Sequence, residues 1–225
     1  MDFTFGICAT QENSELHGVI AESIECLEIE NYEIIFIGNG LNKDSRYKVI
    51  DFDDSDKSGW ITKKKNILVQ NSSFENIVIM HDYFVFQPGW YTGFLKFGEN
   101  FQVAMNKILN YDGQRFRDWC LNPYDVIPPT GPIENREFLL PYDVNLTSKM
   151  YISGSYWVAK TRFMLENPLD EELAWGQSED MAWSNIVRKK IDFKMNTNSI
   201  VQSLKPKYCD FTEISADNLA KLRSA

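Results

Sequence analysis

Histidine is almost missing from this chain: His17 and His81 are the only two among 225 residues. Cysteine is sparse as well, and Cys8, Cys26, Cys120 and Cys209 lie far apart with no Cys-x-x-Cys pair. That spacing speaks against a disulfide framework or a zinc knuckle and for free core thiols. No run of eighteen apolar residues exists, and Met1-Asp2-Phe3-Thr4-Phe5 has no basic leader. The expectation is therefore a cytoplasmic chain with no transmembrane segment, peripheral at most to the inner membrane face. For want of an export signal, the sequon Asn145-Leu146-Thr147 carries little weight as a glycosylation site. Positive charge is in short supply: 23 Lys and Arg against 32 Asp and Glu leave a formal net charge of −9. No nucleic-acid partner is expected, because phosphate backbones need an extended basic face. An anionic ligand would have to be met by local clusters, of which Lys63-Lys64-Lys65, Arg115 with Arg117, Arg188-Lys189-Lys190 and Lys205 with Lys207 are present. Taken singly, each reads more readily as a solvated face.

What the chain does have is apolar material: 44% hydrophobic residues, 14% aromatic, enough for a real core in one large domain or two intimately packed halves. Ile77-Val78-Ile79-Met80 is a short, β-branched, wholly apolar run that reads as a central strand buried on both faces. It ends on His81 and Asp82, which places two polar side chains where open α/β sheets bind ligands. Phe3 to Ala9 reads as a first strand, Ser14 to Glu28 as an amphipathic helix, and Tyr32 to Ile37 as a second strand stopped by Gly38-Asn39-Gly40. A strand–helix–strand unit at that spacing implies parallel strands. Val49 to Phe52 reads as a third strand, Trp60 to Val69 as a helix with a basic face, Tyr91 to Phe97 as a helix and Phe101 to Met105 as a strand. Prolines 123, 128, 129, 132 and 141 make Asn110 to Lys149 a loop-rich stretch of the kind that shapes binding surfaces. Beyond it come a strand over Tyr151–Val158, helices over Thr161–Glu166 and Ser178–Lys190, and a short terminal helix from Ile214.

Four pieces of this pattern together resemble the GT-A glycosyltransferases, particularly the inverting type that builds polysaccharides and glycan chains. They are Gly6-Ile7-Cys8-Ala9-Thr10, Ile34 to Gly40, Gly59-Trp60-Ile61-Thr62-Lys63-Lys64-Lys65-Asn66 leading into Ile77 to Phe84, and the run Ser153-Gly154-Ser155, Leu169-Asp170-Glu171, Trp175-Gly176-Gln177-Ser178-Glu179-Asp180. The last is the most specific, a glycine turn followed by adjacent carboxylates that open a helix. The resemblance implies a Rossmann-like single α/β domain, with a mostly parallel central sheet flanked by helices and a loop-rich acceptor-side half. Residues 1–100 would form the donor half and 101–225 the half carrying the acceptor site and catalytic base. It departs from the family at His81-Asp82-Tyr83, where an Asp-x-Asp motif is usual.

What the resemblance implies chemically is transfer of a sugar, hexosyl or N-acetylhexosaminyl, from a nucleoside diphosphate to a hydroxyl of a glycan or lipid-linked glycan. UDP is the family's commonest nucleotide. Asp180 would be the general base, supported by Glu179. Thr10, Glu12, Asn39, Lys63, Lys65, His81, Asp82, Lys205 and Lys207 would bind the donor, with Asp53 or Asp54 as further base-recognition residues. Gly154, Tyr156, Trp157 and Trp175 would face the acceptor. A divalent cation, manganese or magnesium, would be held by Asp82 with His81, and the altered motif leaves its requirement open. A non-catalytic sugar-nucleotide or glycan-binding module on the same fold is the alternative. A nucleotidyltransferase is disfavoured because Ala9-Thr10-Gln11-Glu12-Asn13 is not a glycine-rich, arginine-bearing phosphate loop.

Overall fold

A computed structural model describes residues 1–123, 136–205 and 210–224. Strand β1 (Phe3–Cys8) is buried along its whole length and pairs in parallel with β2 (Tyr32–Gly38) on one side and β4 (Asn76–His81) on the other. Between them run helix α1 (Ser14–Glu25), strand β3 (Lys48–Asp51) on the far side of β2, and helix α2 (Ile61–Gln70). The chain thus leaves β1 outward through β2 and β3 and returns to its other flank with β4. That reversal of strand order opens a crevice at the carboxyl ends of β1 and β4, the usual ligand position in open α/β sheets.

Past β4 the sheet is mixed. Strand β5 (Phe84–Phe86), helix α3 (Trp90–Phe97) and strand β6 (Val103–Leu109) follow in the chain, and β10 (Tyr156–Lys160) inserts antiparallel between β4 and β6. The full order is β3-β2-β1-β4-β10-β6-β11-β5, where β11 is Lys194–Ser203. Four short strands, β7 (Cys120–Leu121), β8 (Arg136–Leu139), β9 (Met150–Tyr151) and β12 (Asp210–Glu213), form a second sheet, and the first two of them lie in the stretch expected to be loops. Helix α4 (Thr161–Glu166) follows β10, α5 (Glu179–Val187) carries the paired carboxylates, and α6 (Ala216–Ser224) ends the described chain. No helix among the described residues is long and apolar enough to cross a membrane.

The core is aromatic at its centre. Phe3, Phe5, Phe86, Trp90 and Phe94 pack ring against ring between β1 and α3, with Phe5 and Phe86 centroids 5.1 Å apart at 81°. Each such side chain taken from water contributes about 1.5–3 kcal/mol, so this layer anchors the strands whose ends form the crevice. The expected strand over Tyr151–Val158 is two pieces instead. Ser153-Gly154-Ser155 breaks it, because Gly154 lies against Asp180 and its N–H is spent on that carboxylate rather than on a ladder.

Candidate active site

Asp82 sits at the reversal point, and its backbone N–H donates to Cys8 O at the end of β1. Its carboxylate is only 3% exposed and fully engaged. Oδ2 accepts from Thr10 N at 2.7 Å and Thr10 Oγ1 at 3.3 Å, Oδ1 accepts from Asn13 Nδ2 at 2.7 Å, and His17 Nε2 lies 3.6 Å from Oδ2. The Asn13 amide continues the chain, its oxygen accepting from Lys205 Nζ at the end of β11. His17 belongs to this layer, buried under Phe36 with ring centroids 4.8 Å apart. Asn13 and His17 were not expected at the site. The Asn in the turn after β1 and the His four residues on are visible in the sequence, but nothing there says they turn toward Asp82.

Beside Asp82 the floor of the crevice is Lys65, which is completely buried. Its ammonium donates to Gly154 O at 2.8 Å and lies 3.9 Å from Glu179 Oε1. Burial holds this ammonium below the ordinary lysine range, and the neighbouring Cys8, Glu179 and Asp180 oppose that. Cys8 is pushed up to about 12, chiefly by burial, so it stays a neutral thiol packed under the site. Glu179 is likewise raised, first by burial and then by the adjacent Asp180 charge, with Lys65 pulling the other way.

The carboxylate pair reaches the crevice through Ser153-Gly154-Ser155. His81 N donates to Ser155 O at 3.0 Å, and Gly154 N donates to Asp180 Oδ2 at 2.8 Å. A Cβ on residue 154 would lie 3.1 Å from Asp180 Oδ2, so any larger residue would push that carboxylate back by a few tenths of an ångström. Residues 81–82 and 179–180 therefore flank one three-residue loop. The other end of the carboxylate segment is tied to α2. Asn66 Nδ2 donates to Leu169 O at 2.9 Å and to Glu171 Oε1 at 3.0 Å, Thr62 Oγ1 donates to Leu173 O at 2.6 Å, and Trp60 Nε1 donates to Glu171 O at 2.8 Å. Ser178, in the left-handed region at φ 59°, turns the chain into α5 directly before Glu179.

The remaining predicted residues fall differently. Thr10, Glu12 and Asn39 are exposed at or just past the carboxyl ends of β1 and β2. Lys63 is turned away onto the Trp60 ring, its Nζ 3.9 Å from the centroid, and Lys64 is paired with Asp54 at 2.5 Å. Lys207 lies outside the described residues. Tyr156 cannot face an acceptor: it is fully buried, its hydroxyl donating to Asn106 Oδ1 at 2.6 Å and accepting from Trp90 Nε1. Trp157 is also buried, 5.9 Å from Trp183 and under the Lys65 ammonium, so it is a wall and not a sugar platform. The inward faces of β10 put both in the core. Trp175 alone of the aromatic three stands out, 68% exposed, and a separate cavity of about 420 Å³ has walls that include Asn122, Leu173, Gln177, Met181 and Asn185.

The expected cation site does not fit a metal. Asp82 brings one carboxylate, and its two oxygens already hold the Thr10 and Asn13 donors, which a hard cation would have to share. The His81 ring faces Tyr83, with Nδ1 3.2 Å from the hydroxyl, in the place where a second acid would be required. Among the described residues no three His, Cys, Asp or Glu side chains gather into a metal-binding group.

The strand order, the crevice at the reversal point and the carboxylate pair across it define a mixed α/β fold of the GT-A kind. No protein-family model matches the sequence, and no curated protein matches it. Solved structures do. S. aureus TarS superposes with a TM-score of 0.56 at 13% identity over 99% of this chain and 38% of its own. TarS residues 1–349 in complex with UDP-GlcNAc gives 0.58 at 9% identity over 99% and 64%, and GalNAc-T7 with UDP, GalNAc and Mn2+ gives 0.62 at 10% identity over 100% and 48%. The chain spans 38% to 64% of the length of these structures.

Proposed function

We propose that this chain is a glycosyltransferase that moves a sugar from a nucleoside diphosphate, a UDP-sugar first among them, to a hydroxyl of a glycan or lipid-linked glycan. The observation that carries the reading is the Ser153-Gly154-Ser155 loop, which brings the carboxylate pair of α5 beside the crevice at the ends of β1 and β4. The fold shared with TarS in complex with UDP-GlcNAc and with GalNAc-T7 holding UDP supports UDP as the first nucleotide to test. Residues 1–100 supply the donor side, with Thr10, Glu12 and Asn39 at the nucleoside, and the later half supplies the acceptor side.

Transfer proceeds with inversion. The acceptor oxygen bonds to the anomeric carbon as that carbon's bond to the β-phosphate oxygen breaks, the electron pair leaves with the diphosphate, and the hydroxyl proton passes to Asp180. Half-exposed Asp180 is fixed for this by the N–H groups of Gly154 and Met181, each 2.8 Å from one of its oxygens. A positioned base of this kind is worth about 10²–10⁴-fold in rate. Glu179, buried against Lys65, holds the helix end and does not meet the acceptor. The cavity lined by Asn122, Gln177 and Asn185 carries neutral amides and apolar groups, a lining suited to an uncharged sugar, and the exposed Trp175 indole is a further stacking face for the acceptor.

The test pairs ligand-induced stabilisation with turnover. UDP or a UDP-sugar raises the melting temperature, and UDP is released from the donor when glycan acceptors are added. Asp180→Asn keeps the stabilisation and loses at least about a hundredfold in UDP release. Wild-type release from that variant removes Asp180 from the role. Stabilisation without release across a broad acceptor set selects the non-catalytic binding module, which the absence of an Asp-x-Asp motif at His81-Asp82-Tyr83 favours.

A further inference from the structure

The expected cation finds no second acid beside Asp82 among the described residues, yet the reaction still needs positive charge where the diphosphate departs. Lys205 supplies such a charge. Its ammonium reaches across from the end of β11 to the Asn13 carboxamide, whose other end donates to Asp82 Oδ1. Lysine, amide and carboxylate thus form a relay at the reversal point, with Lys205 outermost: Asp82 is 3% and Asn13 4% exposed, and Lys205 is half-buried. Among the described residues one of the ammonium's three N–H donors is spent on Asn13, and an ammonium offers donors to phosphate oxygens as a point charge. The turn carrying it is fixed, since Leu204 N donates to Tyr83 O at 2.7 Å and Ser203 Oγ to Lys205 O at 2.8 Å. The basic residues of α2 are committed elsewhere: Lys63 to Trp60, Lys64 to Asp54, and Lys65 to Gly154 and Glu179.

We propose that the Lys205 ammonium takes the position a divalent cation would need, contacting the diphosphate of the donor, so that nucleoside diphosphate binding and transfer are metal-independent. The inference rests on the transferase reading and deepens it. During transfer the phosphate oxygen that receives the electron pair gains charge, and Lys205 meets that charge without giving up its proton. Asp82 and Asn13 are positioning residues, holding the ammonium from behind.

The experiment is a calorimetric titration of the full chain with UDP and, separately, with uridine, each with EDTA and then with Mn2+. The wild type binds UDP with the same affinity in both conditions. Lys205→Ala weakens UDP by about ten- to a hundredfold and leaves uridine unchanged, and Lys205→Arg keeps most of the UDP affinity. A wild-type UDP affinity that rises tenfold or more with Mn2+ overturns the proposal. So does an equal loss of UDP and uridine in Lys205→Ala, which would make the lysine a structural prop for Asn13. Lys205→Met, which keeps most of the stem, takes the place of the alanine variant should that one fail to fold. If neither UDP nor UDP-sugars bind the wild type in any condition, the transferase reading itself falls, and this proposal with it.

Discussion

Removing the Asp82 carboxylate separates a structural anchor from a metal ligand waiting in water. In the fold this group accepts hydrogen bonds at 2.7, 3.3 and 2.7 Å from Thr10 and Asn13. Bonds to a charged acceptor contribute about 1.5–3 kcal/mol each, and a buried donor left without a partner costs about 1–3 kcal/mol. The losses are unequal. Thr10 is exposed and water can take over its groups, whereas Asn13 is 4% exposed and its amide would be stranded. Asp82→Ala should therefore cost roughly 2–4 kcal/mol, which for a chain of this size lowers the melting temperature by roughly 5–12 °C. Asp82→Asn should lose nearly as much, because the new NH2 would face an N–H donor whichever way the amide is turned. The assay is urea unfolding followed by circular dichroism in EDTA, read at unchanged m-value. A loss below about 1 kcal/mol in both variants would refute the reasoning, since a carboxylate waiting for a metal is destabilising, or neutral, when the metal is withheld.

Gly154→Ala tests the loop that joins the two sides of the site. The added Cβ would lie 3.1 Å from both Cβ and Oδ2 of Asp180, so the carboxylate must move; stability should fall by about 1–3 kcal/mol and turnover by more than UDP affinity does. Unchanged turnover would break the link between that loop and the chemistry. Glu179, whose folded-state value is raised by burial, makes a pH prediction. The folded chain keeps a proton that the unfolded chain has already released, so this residue makes stability fall as pH rises from the ordinary glutamate range through its raised value. The difference between wild type and Glu179→Gln in urea unfolding should decline over that window, and a flat or rising difference would contradict the assignment.

The first part of the sheet, up to β4, was largely legible in the sequence because its signals are local. β1, α1, β2, α2 and β4 follow from hydrophobic period and glycine turns, and a wholly apolar run such as Ile77–Met80 admits few places other than a sheet centre. The paired carboxylates at a helix start were equally readable, being adjacent in the chain. β11 was not seen, because Lys194-Met195-Asn196-Thr197-Asn198-Ser199 shows no apolar alternation. Its buried polar residues are satisfied by partners distant in sequence or around a register shift, as when Ser199 Oγ donates to Trp90 O at 2.7 Å. Tyr156 and Trp157 were misplaced for a related reason: being aromatic and near the site in sequence says nothing about whether a strand is central and buried on both faces, as β10 is between β4 and β6.

The succession of strands and helices from β1 to β4 and the presence of Glu179-Asp180 at a helix start are properties of the chain read residue by residue, since propensity and turn chemistry act over a few positions. That Asp82 faces Thr10 and Asn13, and that Lys205 reaches Asn13 across 192 residues, was decided only by the packed sheet. A hydrogen-bonded carboxylate and an open one are written with the same letter. What distinguishes them is which donors the fold brings within 3 Å, and that depends on the closure of β11 and β10 onto a surface built from the other end of the sequence.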